Sequence, residues 1–78
     1  MVKTKVTYLG PLAALSHEGP EGITRNFLKD IPLDDDFSVK DLLHYDSSGG
    51  FRVAPVAVTF RKTVPVTKEV DEEIIIGH

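Results

Sequence analysis

Seventy-eight residues without cysteine make at most one small domain, which neither disulfides nor the commonest zinc sites can staple. At this size folding buries only about 60–65% of the unfolded chain's surface, so association with copies of itself or a partner is the remaining usual aid to stability. Nine basic against twelve acidic side chains give a net charge of −3, which argues against nucleic acid as a partner, and no apolar run approaches a membrane span.

Val2, Thr4, Val6 and Tyr8 alternate with Lys3, Lys5 and Thr7, the period of a half-buried strand. No apolar core and cleavage site follow the two lysines, so no secretory leader is expected and an intracellular origin fits best. Gly10-Pro11 ends the strand. Leu12 to Gly22 reads as a loop over the sheet, because Gly19-Pro20 and Gly22 prevent a long helix. Ile23 to Phe27 reads as a second strand with Arg25 as a charged edge, and Leu28 to Leu33 as a turn with a short continuation limited by Pro32.

Asp34-Asp35-Asp36 is expected to form a solvated acidic turn. Calcium ligation by an EF-hand loop needs glycine at the sixth position and glutamate at the twelfth; here these are Val39 and Tyr45. Ser38 is a good N-cap with Asp41 three residues on, and Val39, Leu42 and Leu43 share a face, which predicts a helix over about residues 39–45. Asp46 to Gly50 stops it and offers glycine for a left-handed cap. Beyond it Phe51 and Val53 take one parity, whereas Val56, Val58 and Phe60 take the other. A switch at Pro55 predicts a bulge or bend, or a strand broken there into two. The expected core is Val6, Tyr8, Leu42, Leu43, Phe51, Val53, Val58 and Phe60.

Reactive groups are scarce. His17, His44 and His78 have no spacing that places two on one helical face. Ser16-His17 and Ser47-Ser48 lack the context of a nucleophile, and Gly49-Gly50 sits between helix and strand in the order opposite to a phosphate loop. No catalytic, metal-binding or cofactor-binding residue is assigned, and neither enzyme activity nor a small-molecule substrate is expected.

Charge is segregated. Residues 51–68 hold Arg52, Arg61, Lys62 and Lys68 with no carboxylate, whereas residues 34–46 hold five aspartates against Lys40. The chain then closes on Asp71-Glu72-Glu73 and Ile74-Ile75-Ile76. Extended, the 15 residues from Val64 to His78 reach about 50 Å, against about 30 Å for the width of a compact domain of this length. Burying three isoleucines contributes about 5–9 kcal/mol at most, while fixing this backbone costs on the order of 15–30 kcal/mol. The segment therefore needs a sheet edge to pair with, its own or a neighbour's.

These terms divide the chain into a β-rich domain over residues 1–63 and a C-terminal arm or final strand over 64–78. The arm is expected to be ordered chiefly by a neighbouring molecule, with Asp71 to Glu73 facing solvent or the basic stretch of an adjoining copy. A final strand in the chain's own sheet and a frayed end stay open. Arg61, Lys62, Val64, Val66, Val70, Ile74, Ile75 and Ile76 are the candidate interface. The expected fold is mainly β, a small antiparallel sheet or partial barrel with one short helix and an extended C-terminal arm.

Val6, Tyr8, Leu9, Gly10 and Pro11, then Phe27, Lys29 and Asp30, then Val39, Asp41, Leu42 and Leu43, then Phe51 and Val53, follow one another in a recognisable order. Over about residues 4–53 this pattern resembles small structural or accessory proteins encoded among the head genes of tailed bacteriophages. The chain departs from the pattern in its long β-rich extension after Pro55. The resemblance implies a capsid decoration, cement or head accessory factor located in the virion, made in the host cytoplasm, with no catalytic residues. Its partners would be copies of itself, the major capsid protein, or both. The alternative is a small acidic inhibitor or adaptor that binds a host protein.

Overall fold

The computed structural model describes residues 1–64 and 68–78, and side chains outside the stretch 60–70. The described elements follow the order β1 (Val2–Tyr8), β2 (Ala14–Glu18), β3 (Thr24–Leu28), β4 (Leu33–Phe37), α1 (Val39–Ser47), β5 (Phe51–Val53), β6 (Val56–Val64) and β7 (Lys68–Ile76). They form three small antiparallel sheets, β4-β1-β5, β2-β3 and β6-β7, so the protein is mainly β with one helix.

The alternation of β1 sends Thr4, Val6 and Tyr8 inward and keeps Lys3 and Lys5 in solvent. Tyr8 also explains why the strand stops where it does. Its ring lies over Gly10, where an added Cβ would overlap the ring atoms, and its hydroxyl accepts from the Leu12 amide at 3.3 Å.

The aspartate triplet is a strand, not a turn. β4 pairs with β1 in the register Lys3↔Asp36, Thr4↔Asp35 and Lys5↔Asp34, so two of the three aspartates stand directly across from lysines. Opposite charges at facing positions stabilise an antiparallel pair by about 0.2–1 kcal/mol each. An acidic run is a poor strand by propensity; here its partner strand supplies the compensation.

Leu12–Gly22 also corrects its expectation, since β2 occupies Ala14–Glu18 and pairs with β3 from Ala14↔Leu28 to Glu18↔Thr24. The alternation Leu15, His17, both half-buried, against exposed Ala14, Ser16 and Glu18 is the strand signal. Pairing with β3 outweighs the helical preference of Leu-Ala-Ala-Leu, a preference of a few tenths of a kcal/mol per residue. In the turn after β3, Asp30 adopts a left-handed φ of 62°, which aspartate tolerates better than most residues, and its amide donates to the Tyr8 carbonyl at 2.9 Å.

Helix α1 begins as its sequence says. Ser38 is extended (φ −72°, ψ 157°) and its hydroxyl accepts from the Asp41 amide at 3.1 Å. The inward face is rotated from the expected one: Asp41, Leu42 and Tyr45 are buried, whereas Leu43 is 45% exposed. Nor does the C-terminus use a left-handed glycine. Ser48 is extended there, and the hydroxyls of Ser47 and Ser48 both donate to the His44 carbonyl, at 3.0 and 2.8 Å.

The parity switch at Pro55 is a break between β5 and β6, one of the two expected outcomes. The core comprises Val6, Tyr8, Phe27, Phe37, Leu42, Tyr45, Val53, Val58 and Ile76, with Phe51 and Ile74 packed against it. Phe60, expected in the core, has its side chain outside the described residues.

Candidate interaction surface

β6 and β7 form an antiparallel ladder of nine positions, from Val56↔Ile76 to Val64↔Lys68. At the base its inner face is apolar: Val58 and Ile76 are buried, and Val56 and Ile74 are half-buried against the core. The same parity two residues on from Ile74 is Glu72, and Glu72 is exposed. Among the described residues none covers Glu72 there. Past the Val58↔Ile74 pair the hairpin therefore projects, over six positions or about 20 Å.

The overall dimensions agree. Principal extents are 50 × 24 × 19 Å and the radius of gyration is 14.2 Å, where a compact chain of this length has about 11–12 Å. β6 and β7 contact chiefly each other, and helix α1 touches β7. Among the described residues neither strand has a second neighbour in the sheet order, so the two-stranded ladder has an outer edge on each side.

The expectation that residues 64–76 are ordered chiefly from outside is corrected here for Val64 and Lys68–Ile76, and residues 65–67 lie outside the described residues. β7 is paired along its length with β6, and Ile76 is 2% exposed in the chain's own core. The long apolar run of β6 already offers an edge, and a short return is cheaper in closure entropy than capture of a second molecule. One charge pair is matched in the same way, Arg61 opposite Asp71, whereas Glu72 stands opposite Phe60 and Glu73 opposite Thr59. Asp71, Glu72 and Glu73 are exposed, as expected.

Of the candidate interface, Ile76 is thus core and Ile74 half-buried, while Ile75 is 63% exposed beside exposed Ala57, its cross-strand partner. Arg61, Lys62 and Val64 take positions in β6 and Val70 in β7, with side chains outside the described residues. Val66 lies wholly outside them.

A second group of polar residues lies inside the body, and sequence reasoning missed it. Arg25 of β3, expected at a charged edge, is buried instead. Its Nη1 donates to Asp41 Oδ2 at 2.9 Å, its Nε to Asp35 Oδ2 at 3.2 Å and its Nη2 to the Asp36 carbonyl at 3.0 Å. Its guanidinium carbon lies 4.3 Å from the centre of the Phe37 ring. One side chain thus ties the β2-β3 sheet to edge strand β4 and to the first turn of α1.

Burial alone would lower the Arg25 pKa; hydrogen bonds to Asp41 and Asp35, the nearby Tyr45 hydroxyl and the charge of Asp41 outweigh it and hold it above its ordinary value. Burial raises the Tyr45 phenol, against the opposing influence of Arg25. The Tyr45 hydroxyl lies 3.2 Å from His17 Nδ1, and the His17 and His44 rings stack at 5.6 Å. Gly19 closes the cluster, because a Cβ there would come within 2.8 Å of Asp41 Oδ1.

Every guanidinium nitrogen is engaged, whereas Asp41 Oδ1 is buried without a hydrogen-bond partner among the described residues, and the cluster acts as a structural clasp between its elements. The available sequence signal was Tyr45 at i+3 from Leu42 and i+4 from Asp41, a face that places a polar group and a phenol together.

No family model matches the chain, and no curated protein or solved structure matches it.

Proposed function

We propose that this protein is a structural virion protein, a capsid decoration or head accessory factor that acts through protein–protein contacts. The resemblance of residues 4–53 to phage head proteins supplies the class. The observation that carries the reading is the hairpin that leaves the body past Val58↔Ile74 with, among the described residues, no further strand on either edge. A two-stranded ribbon is marginally stable by itself, so a third strand from a neighbour both stabilises it and is bound by it. The partners are copies of this chain or the major capsid protein. Nucleic acid, membrane and small-molecule substrates play no part in this reading, and the protein is not an enzyme.

The exposed acidic run Asp71 to Glu73 on the projecting strand favours one alternative, an inhibitor or adaptor that presents this strand to a host protein. Quantitative mass spectrometry of purified particles separates the two. A virion component is recovered in fixed ratio to the capsid subunit; an inhibitor is absent from particles and recovered with a host protein in stoichiometric complex.

A further inference from the structure

We propose that the partner of the projecting hairpin is the hairpin of a second copy, joined head to tail, β7 of one copy along β6 of the next. This names one of the partners in the reading above and rests on that reading. Three observations support it. Among the described residues the β6-β7 sheet has two strands and hence two outer edges, each presenting alternate N–H and C=O groups. The two edges differ in charge: β6 carries Arg61 and Lys62 with no carboxylate, and β7 carries Glu69, Asp71, Glu72 and Glu73 against Lys68. Finally, the hairpin's own register already shows how these strands match, with Arg61 opposite Asp71 and Thr63 opposite Glu69.

Charge order weighs against two-fold pairing centred on the charged parts of either strand. Two copies joined through β7 about a two-fold axis near Glu72 would set Glu72 against itself and Asp71 against Glu73 of the other copy. Joining through β6 about an axis near Arg61 would set arginine against arginine. Both place like charges at facing positions, which is unfavourable. Placing β6 of a second copy on the free edge of β7 in the hairpin's own register instead puts Asp71 between two arginines. The interface is then heterologous, and such interfaces close into rings or run on as filaments. Helix α1 lies against β7 near its base, so the added strand lies along the distal positions, where Glu72 is exposed.

The test uses the full chain and a charge-exchanged variant, R61E/K62E/D71K/E72K/E73K, in which basic and acidic strands trade places and the match within the hairpin is kept. A milder exchange, R61D/D71R, serves if the fivefold variant does not fold. Each protein, labelled with its own fluorophore, is followed by sedimentation velocity alone and mixed. Head-to-tail docking predicts that each associates with itself and that cross-association is weaker by about tenfold or more. Two-fold pairing predicts the reverse, with the mixture associating more tightly than either protein alone. That result overturns the proposal, and so does a wild-type chain that stays monomeric up to millimolar concentration. Particle mass spectrometry reads out independently of both, so a failed self-association leaves the virion reading to be judged separately.

Discussion

Arg25 Nη1 lies 2.9 Å from Asp41 Oδ2 with the arginine side chain 3% and the aspartate 0% exposed, and this pair joins strand β3 to helix α1. Removing one partner leaves an uncompensated buried charge. Arg25→Met and Asp41→Asn are each expected to cost about 3–5 kcal/mol in denaturant unfolding, whereas the apolar double replacement R25M/D41L recovers most of that loss. A single substitution that unfolds like wild type would contradict the clasp.

Gly19 is expected to be irreplaceable for the same cluster. A Cβ at 2.8 Å from Asp41 Oδ1 forces the carboxylate away from Arg25. Gly19→Ala should lower stability by about 1–3 kcal/mol, and the loss should shrink in the R25M/D41L background, where that carboxylate is gone.

The rotated helix face reverses an expectation that hydrophobicity alone suggests. Tyr45→Ala should cost about 3–5 kcal/mol and Leu42→Ala about 2–5 kcal/mol. Leu43→Ala should stay within about 0.5 kcal/mol of wild type, as surface substitutions do. Thermal melts of the three variants decide whether α1 is oriented as described.

Stability should fall at alkaline pH through Tyr45. Its phenol is raised above the ordinary value of 10.0, chiefly by burial. The folded state then holds its proton where the unfolded state releases it, so the contribution is complete below about pH 10 and is lost as pH rises toward the folded pKa. Tyr45→Phe should flatten that decline in a pH series of melting temperatures.

Much of this fold is written locally, and the places where it is not share a cause. β1 and the start of α1 are legible because alternation at Val2 to Tyr8 and the cap at Ser38 act within a few residues. β2 is illegible because Leu12 to Leu15 favour helix locally, and Ala14 and Leu15 become strand only through pairing with β3. Arg25 reads as an edge charge because its partners, Asp35 and Asp41, lie 10 and 16 residues away in sequence. The closing isoleucines show the same limit. Their apolar area demanded a sheet edge, and no feature of residues 64–78 says that β6 provides it. In the projecting ladder the charges of Arg61, Lys62 and Asp71 are legible in the sequence, whereas the register that sets Arg61 against Asp71 emerges only from the folded hairpin.

The arm's described core positions, Val58, Ile74 and Ile76, lie at its base and can be kept while the distal ladder is removed. A chain in which Thr59 and Glu73 are joined by a two-residue Asn-Gly turn keeps these positions and deletes the distal ladder. Co-sedimentation with purified heads, alongside a thermal melt, measures what that ladder does. The expected result is that full-length protein pellets with heads to saturation, while the shortened chain melts like wild type and stays in the supernatant. Equal pelleting of both chains, or of neither, would contradict the arm as the means of assembly.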